Sequence, residues 1–205
     1  MSISSPSART RKPRGQGASR RGEILAAAKK LFLEQGVEHA TMRRIAAELG
    51  ISSTALYVYF PDKPAILKAI AESMFEALLV AYSESQASDQ APLPRFRAGL
   101  RAYVDLALAR PDEYRLTFGA HMLDGCKDIA AADMAFEMLH RNVAVLMQAG
   151  LFVPGDPLAV AEALWACLHG MVLLLLNQPE HLATEPQNLI TTVMDIIMRG
   201  VETSN

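Results

Sequence analysis

Apolar side chains return along this chain at three- and four-residue steps, and nowhere do they settle into sustained alternation. The first clear run is Ile24, Leu25, Ala28, Leu31 and Phe32, which predicts a helix capped at Ser19 and stopped by Gly36. Thr41 is placed to cap a second, short helix that turns Ile45, Ala46 and Leu49 inward and ends at Gly50. Ile51 falls in a turn, Ser52 or Ser53 caps a third helix, and Leu56 and Phe60 give that helix an apolar face. Pro61-Asp62-Lys63-Pro64 breaks it; Asp62 can cap the next helix and Pro64 is tolerated in its first turn. Further helices are predicted at 64–85, 93–110, 111–122, 127–148, 158–177 and 187–200, parted by SQASDQAPLP, Gly125 and AGLFVPGDP. The fold class is therefore all-α, with no internal repeat.

Residues 1–18 are Ser, Pro, Gly and Arg without an apolar period and are expected to be a disordered basic arm. Residues 19–65 then form one small helical domain and 66–205 a second, larger one. Charge sharpens this division. Residues 1–70 hold twelve Lys and Arg against five Asp and Glu, whereas the remainder is acidic enough to bring the whole chain to −2. A cationic first third offers one end of the molecule to a polyanion.

The short helices around Gly50 have the anatomy of a helix-turn-helix, in which the second helix enters the major groove and the first spans the backbone. A plain helical hairpin would share that anatomy. Its neighbours favour the first reading: Arg43 and Arg44 open the first helix, and Lys63 opens the helix that follows the unit. Arg9, Arg11, Lys12, Arg14, Arg20 and Arg21 form a cationic arm ahead of the first helix, suited to a phosphate backbone or simply to solvent. The run ILAAAKKLFLEQGVEHATMRRIAAELGISSTALYVYFPDKPAIL carries a resemblance at many fixed positions. Arg20–Leu67 resembles the N-terminal domain of the tetracycline-repressor (TetR) family of bacterial regulators. The resemblance implies that Thr41, Met42 and Arg43 lie near the phosphate backbone, beside Arg44. It implies too that Ser53, Thr54 and Ala55, with Val58, face base edges next to Ser52, a further DNA-binding candidate, and that Tyr57, Tyr59 and Lys63 hold phosphates. Thr54 and Ser53 depart from the Gly or Ala and the Lys frequent in the family, so the place of base contacts carries over but the sequence read does not.

In the larger domain, RPDEYRLTFG (Arg110–Gly119) and LWACLHG (Leu164–Gly170) resemble a subgroup with a Trp-x-x-x-His-Gly signature, matched by Trp165, His169 and Gly170. Trp165 and His169 share a helix face; His169 reads either as a hydrogen-bonded core histidine or as part of a ligand cavity. Aromatic and thioether side chains collect in the middle helices at Phe96, Tyr103, Tyr114, Phe118, His121, Met122, Phe136, Met138, Leu139, His140 and Met147. They can be plain core, but the resemblance implies a cavity, with Tyr103, Phe118, Met122, Phe136, His140, Trp165 and His169 as candidate ligand contacts. Residues 158–176 are apolar nearly all round. Glu162 and His169 within the run, and no flanking basic cluster, argue against a membrane span and for burial on every side. A twin subunit would complete that burial, and the resemblance implies a homodimer joined through helices 158–177 and 187–200.

No Gly-rich phosphate loop, G-x-S-x-G elbow, H-E-x-x-H or Cys/His cluster occurs, so neither an enzyme, a metal site nor a cofactor is expected. Cys126 and Cys167 stand far apart in a pattern that a reducing cytoplasm permits. The expectation is a cytoplasmic, ligand-responsive regulator of transcription. In the resemblance it is a repressor released from a palindromic double-stranded DNA operator by a small apolar effector. An activator, or a ligand-binding helical protein with an incidental helix-turn-helix, is the alternative.

Overall fold

The computed structural model describes residues 16–86, 90–119 and 128–203. The chain divides into two compact units, Met1–Ile66 and Leu67–Asn205. In the first, α1 (Gln16–Gln35), α2 (Met42–Glu48) and α3 (Ser53–Tyr57) surround Ile24, Leu31, Phe32, Ile45, Leu56 and Phe60, all buried. Each helix end has a local cause. Gly36 and Gly50 adopt φ of 81° and 63°, left-handed conformations that a side chain would strain. Thr41 Oγ1 accepts from the Arg44 amide at 3.3 Å, and Ser52 Oγ from the Ala55 amide at 3.1 Å, so Ser52 and not Ser53 is the cap.

Three expectations need correction in this unit. The first helix begins at Gln16, ahead of Ser19, so residues 16–18 are helical; Ser19 is an interior residue whose Oγ donates to Glu23. Arg20 and Arg21 therefore belong to the helix and not to an arm. Arg20 pairs with Glu23 at 2.6 Å and the Arg21 guanidinium lies 4.3 Å over the Phe60 ring, while Arg9, Arg11, Lys12 and Arg14 lie outside the described residues. Finally, α3 stops at Tyr57, and Phe60 reaches the core from the turn after it.

Helix α4 (Lys63–Gln86) starts at Asp62, whose Oδ1 accepts from the Ala65 amide at 2.8 Å. The second unit adds α5 (Pro92–Ala109), α6 (Pro111–Phe118), α7 (Ala130–Gln148), α8 (Pro157–Asn177) and α9 (Pro186–Val201), with one 3-10 turn at Pro179–His181. Two bounds differ from expectation. The helix expected over 111–122 ends at Phe118, because Gly119 turns to extended backbone so close to the Arg115 carbonyl that a Cβ there would meet it at 2.8 Å. The helix expected from residue 127 starts at Ala130, after Asp128 with φ of 70°.

Helix α8 is the axis of this unit: α5, α7 and α9 all pack against it, over a core that includes Leu100, Val104, Tyr114, Val143, Leu164, Leu168, Ile190 and Met194. The connector from α7 to α8 is fastened to the end of the chain. Val153 N donates to Val201 O at 2.8 Å and Thr203 N to Leu151 O at 3.1 Å, which buries Phe152 edge-on against Phe96. Arg97 pairs with Asp195 and Arg101 reaches Gln187 at 2.9 Å, both joining α5 to α9. Arg115 on α6 donates to Asn177 Oδ1 at 3.0 Å and to the Leu176 carbonyl, a cation on the negative end of α8.

Candidate functional site

In the first unit the hairpin of α2 and α3 leaves a continuous outer face. Thr41, Arg43, Arg44, Ser52, Thr54, Tyr57 and Val58 are exposed; Met42, Ser53, Ala55, Tyr59 and Lys63 are half-buried. Val58 is 80% exposed and Tyr57 51%, a poor arrangement for apolar side chains unless something else covers them. The capping hydroxyls already accept backbone bonds, which leaves each free to donate outward through its own proton. Lys63 has internal work as well: its Nζ donates to Val37 O at 2.6 Å, fastening the turn after α1 to the start of α4. Two further donors remain on that ammonium. Lys30 and Glu48 pair at 2.7 Å and hold α1 against α2.

In the second unit a cavity of about 480 Å³ opens between α4, α5, α6, α7 and α8. Its walls include Phe75, Leu78 and Tyr82 of α4, Phe96, Gly99 and Tyr103 of α5, Phe118 of α6, Phe136 of α7, and Trp165 and Leu168 of α8. The volume lies in the range of small-molecule sites. Of the seven candidate contacts, Tyr103, Phe118, Phe136 and Trp165 stand in the wall. His140 does not; it faces Glu137 at 3.5 Å. His169 does not either, being held behind Tyr103, and Met122 lies outside the described residues, as do His121 and Cys126. Sequence periodicity missed the α4 wall entirely, because which face of a long apolar helix lines a hole depends on its neighbours. Gly99 was a usable signal: a Cβ there would meet the Tyr82 ring at 2.6 Å, so the glycine lets that ring come close to α5.

Trp165 stands in the wall, and His169 lies behind it. Tyr103 and Tyr114 hydroxyls are 2.6 Å apart, and Tyr114 is 2.6 Å from His169 Nδ1. If His169 Nδ1 accepts, the protons run in order, Tyr103 to Tyr114 and Tyr114 to His169. The chain leads from α5 through α6 to α8. Burial raises both phenols above the usual tyrosine range, Tyr114 the further, and pulls His169 below the usual histidine value, so all three are neutral around pH 7. The ring stack Tyr114–Phe118–Trp165–Phe136 carries the same contacts out to the cavity.

No group of three or more His, Cys, Asp or Glu able to hold a metal ion occurs among the described residues. Pro157–Asn177 is the one described helix long and apolar enough to cross a bilayer, and 28% of its most apolar window is buried. Its exposed positions include Ala159, Ala163, Ala166 and Leu174. Gly170 of α8 and Gly200 of α9 have nothing within 4 Å of where a Cβ would stand.

Two family descriptions match the chain: bacterial regulatory proteins of the tetR family over residues 24–70, and a tetracyclin repressor-like C-terminal domain over residues 96–197. The nucleoid occlusion factor SlmA of Haemophilus influenzae is 29% identical over 119 residues, covering 58% of this chain and 55% of that protein. The transcriptional repressor KstR2 of Mycobacterium tuberculosis is 35% identical over 83 residues, covering 40% and 42%. The chain thus spans about half the length of these curated relatives or less. Among solved structures, a protein of unknown function from Rhodococcus sp. RHA1 superposes with a TM-score of 0.75 at 28% identity, over 89% of this chain and 95% of that one.

Proposed function

The chain belongs to the tetR family of bacterial regulatory proteins, and from that premise we propose that it is a cytoplasmic, homodimeric repressor. In this reading it leaves a palindromic operator when a small apolar effector enters the cavity among α4 to α8. The observation that carries the DNA-binding part is the outer face of α2 and α3. It sets exposed Arg43 and Arg44 beside small or apolar side chains from Ser52 to Val58, with no charge among the latter. The arginines neutralise phosphates, the Tyr57 and Tyr59 hydroxyls fix register, and small side chains let α3 approach base edges. Trp165 belongs to the cavity wall, and His169 braces Tyr114 and Tyr103 from behind it.

The effector acts by population. It favours whichever separation of the two reading helices it binds better, and two half-sites one helical turn apart tolerate only one separation. Alanines on the outer side of α8 and glycines on α8 and α9 support dimerisation, since a Cβ at Gly170 or Gly200 would meet nothing within 4 Å and a partner's backbone has room there.

The test is binding of the purified chain to the DNA upstream of its own gene, followed by fluorescence anisotropy over a salt series. The expected result is a bounded footprint with two half-sites. Arg43→Ala should shallow the logarithmic salt slope by about 1. Tyr57→Phe should weaken binding by about 0.5–1.5 kcal/mol, the worth of one hydrogen bond. A footprint without boundary, or affinity indifferent to both substitutions, would sink the operator reading.

A further inference from the structure

The cavity wall has a charge pattern that narrows what it can hold. Several of its polar atoms are already engaged by other protein groups: Tyr103 is bonded to Tyr114, and Asn142 Nδ2 donates to Met138 O at 2.6 Å. The Tyr82 hydroxyl and Asn142 Oδ1 keep neutral hydrogen-bonding capacity but can supply no counter-charge. The charged groups on the wall, among the described residues, are two carboxylates, Asp133 and Glu137, one helical turn apart on α7 and both exposed. Asp133 has a bland reason to be there, since it stands in the first turn of α7 where a helix favours an anion. Glu137 lies a turn further on and has no such reason; its carboxylate is 3.5 Å from the His140 ring. No Lys, Arg or His belongs to the wall among the described residues. Arg95 and Arg141 act on the Tyr82 phenol electrostatically, but neither lines the cavity.

We propose that this cavity receives a compact aromatic or polycyclic amine, its ring body among Phe75, Phe118, Phe136 and Trp165 and its protonated nitrogen at Asp133 and Glu137. The inference rests on the effector reading above and adds the chemical class. Aromatic faces carry negative quadrupoles and attract a cation, more strongly where water is excluded. The same walls would leave a carboxylate or phosphate without a partner and facing two like charges, which selects against acidic effectors.

Trp165 is the chain's sole tryptophan and stands in the wall, so its emission reports occupancy directly. Matched probes settle the class: 1-adamantanamine, 1-adamantanol and 1-adamantanecarboxylate by tryptophan fluorescence, and the corresponding naphthylmethyl ammonium, alcohol and naphthoate by calorimetry. In each series the ammonium should bind at least tenfold tighter than the alcohol, and the carboxylate weakest. The double variant Asp133→Asn, Glu137→Gln should bring the ammonium to the level of the alcohol while the alcohol is unchanged. The proposal is overturned if the carboxylate matches the ammonium, if the preference survives in the double variant, or if no member of either series binds. Anisotropy on upstream DNA in the same samples separates the two readings. Amine preference without any change in DNA affinity upholds the cavity's chemistry and removes its effector role; intact DNA binding with no amine preference does the reverse.

Discussion

The hydroxyl of Tyr114 joins three helices through one atom. It is fully buried, 2.6 Å from Tyr103 and 2.6 Å from His169 Nδ1. Tyr114→Phe keeps the ring and its contacts to Phe118 and His169 but leaves Tyr103 without its acceptor and His169 with only a 3.4 Å neighbour. Unmade buried hydrogen bonds of this kind cost about 1–3 kcal/mol, which urea denaturation would read as a lower midpoint at unchanged slope. His169 adds a pH dependence whose sign follows from its lowered value. Below the ordinary histidine value of 6.5 the unfolded chain binds a proton that the folded one refuses, so the unfolded state gains. The contribution of His169 is therefore complete above about pH 6.5 and is lost as pH falls from there through the folded value. His169→Gln should flatten the stability profile in that window, and an NMR titration should place the folded histidine below 6.5. An unchanged slope in the variant would exclude His169 as its source.

At the scale of the element, the reading unit is built from ends more than from middles. With seven and five residues, α2 and α3 have too few internal bonds to stand alone, so their caps and their turn carry an unusual share of the order. Ser52→Ala should cost about 0.5–2 kcal/mol of stability of the N-terminal unit. Operator affinity should fall further than the lost stability alone explains, because the Ser52 hydroxyl also faces outward; comparing anisotropy with thermal melts separates the two effects. These ends were legible in sequence, since Thr41, Gly50 and Asp62 each carry a chemical reason within four residues of the site they control. The start of α1 was not: 16–18 have no apolar period, and the helix extends there by propagation from Arg20–Glu23. The cavity was half legible. Phe118, Phe136 and Trp165 announce themselves as aromatics, whereas Phe75, Leu78 and Tyr82 look like ordinary positions of an apolar helix. Only the packing of Gly99 on Tyr82 shows which way they face.

At the scale of the whole molecule, the unmet demand is on α8 and α9. Large apolar side chains belong in an interior, yet Leu158 (43%) and Leu174 (44%) of α8 and Ile196 (62%) of α9 remain open to water. Ala159, Ala163, Ala166 and Gly170 recur at four- and three-residue steps along α8, a strip narrow enough for another helix to approach closely. A second copy of the chain, placed by a two-fold axis, would cover both helices at once and present two copies of α3 to one duplex. A single charged side chain on that strip has no water to escape to once the interface closes. Ala166→Glu should therefore turn a dimer into a monomer in light scattering while leaving the helical signal of each chain intact, since residue 166 is exposed in the single chain. The same variant should lose most operator affinity, because a half-site bound alone forfeits the effective concentration its twin supplies. A wild-type chain already monomeric at micromolar concentration, or an Ala166→Glu chain that stays dimeric, would place the contact elsewhere and leave the apolar faces of α8 and α9 to another partner.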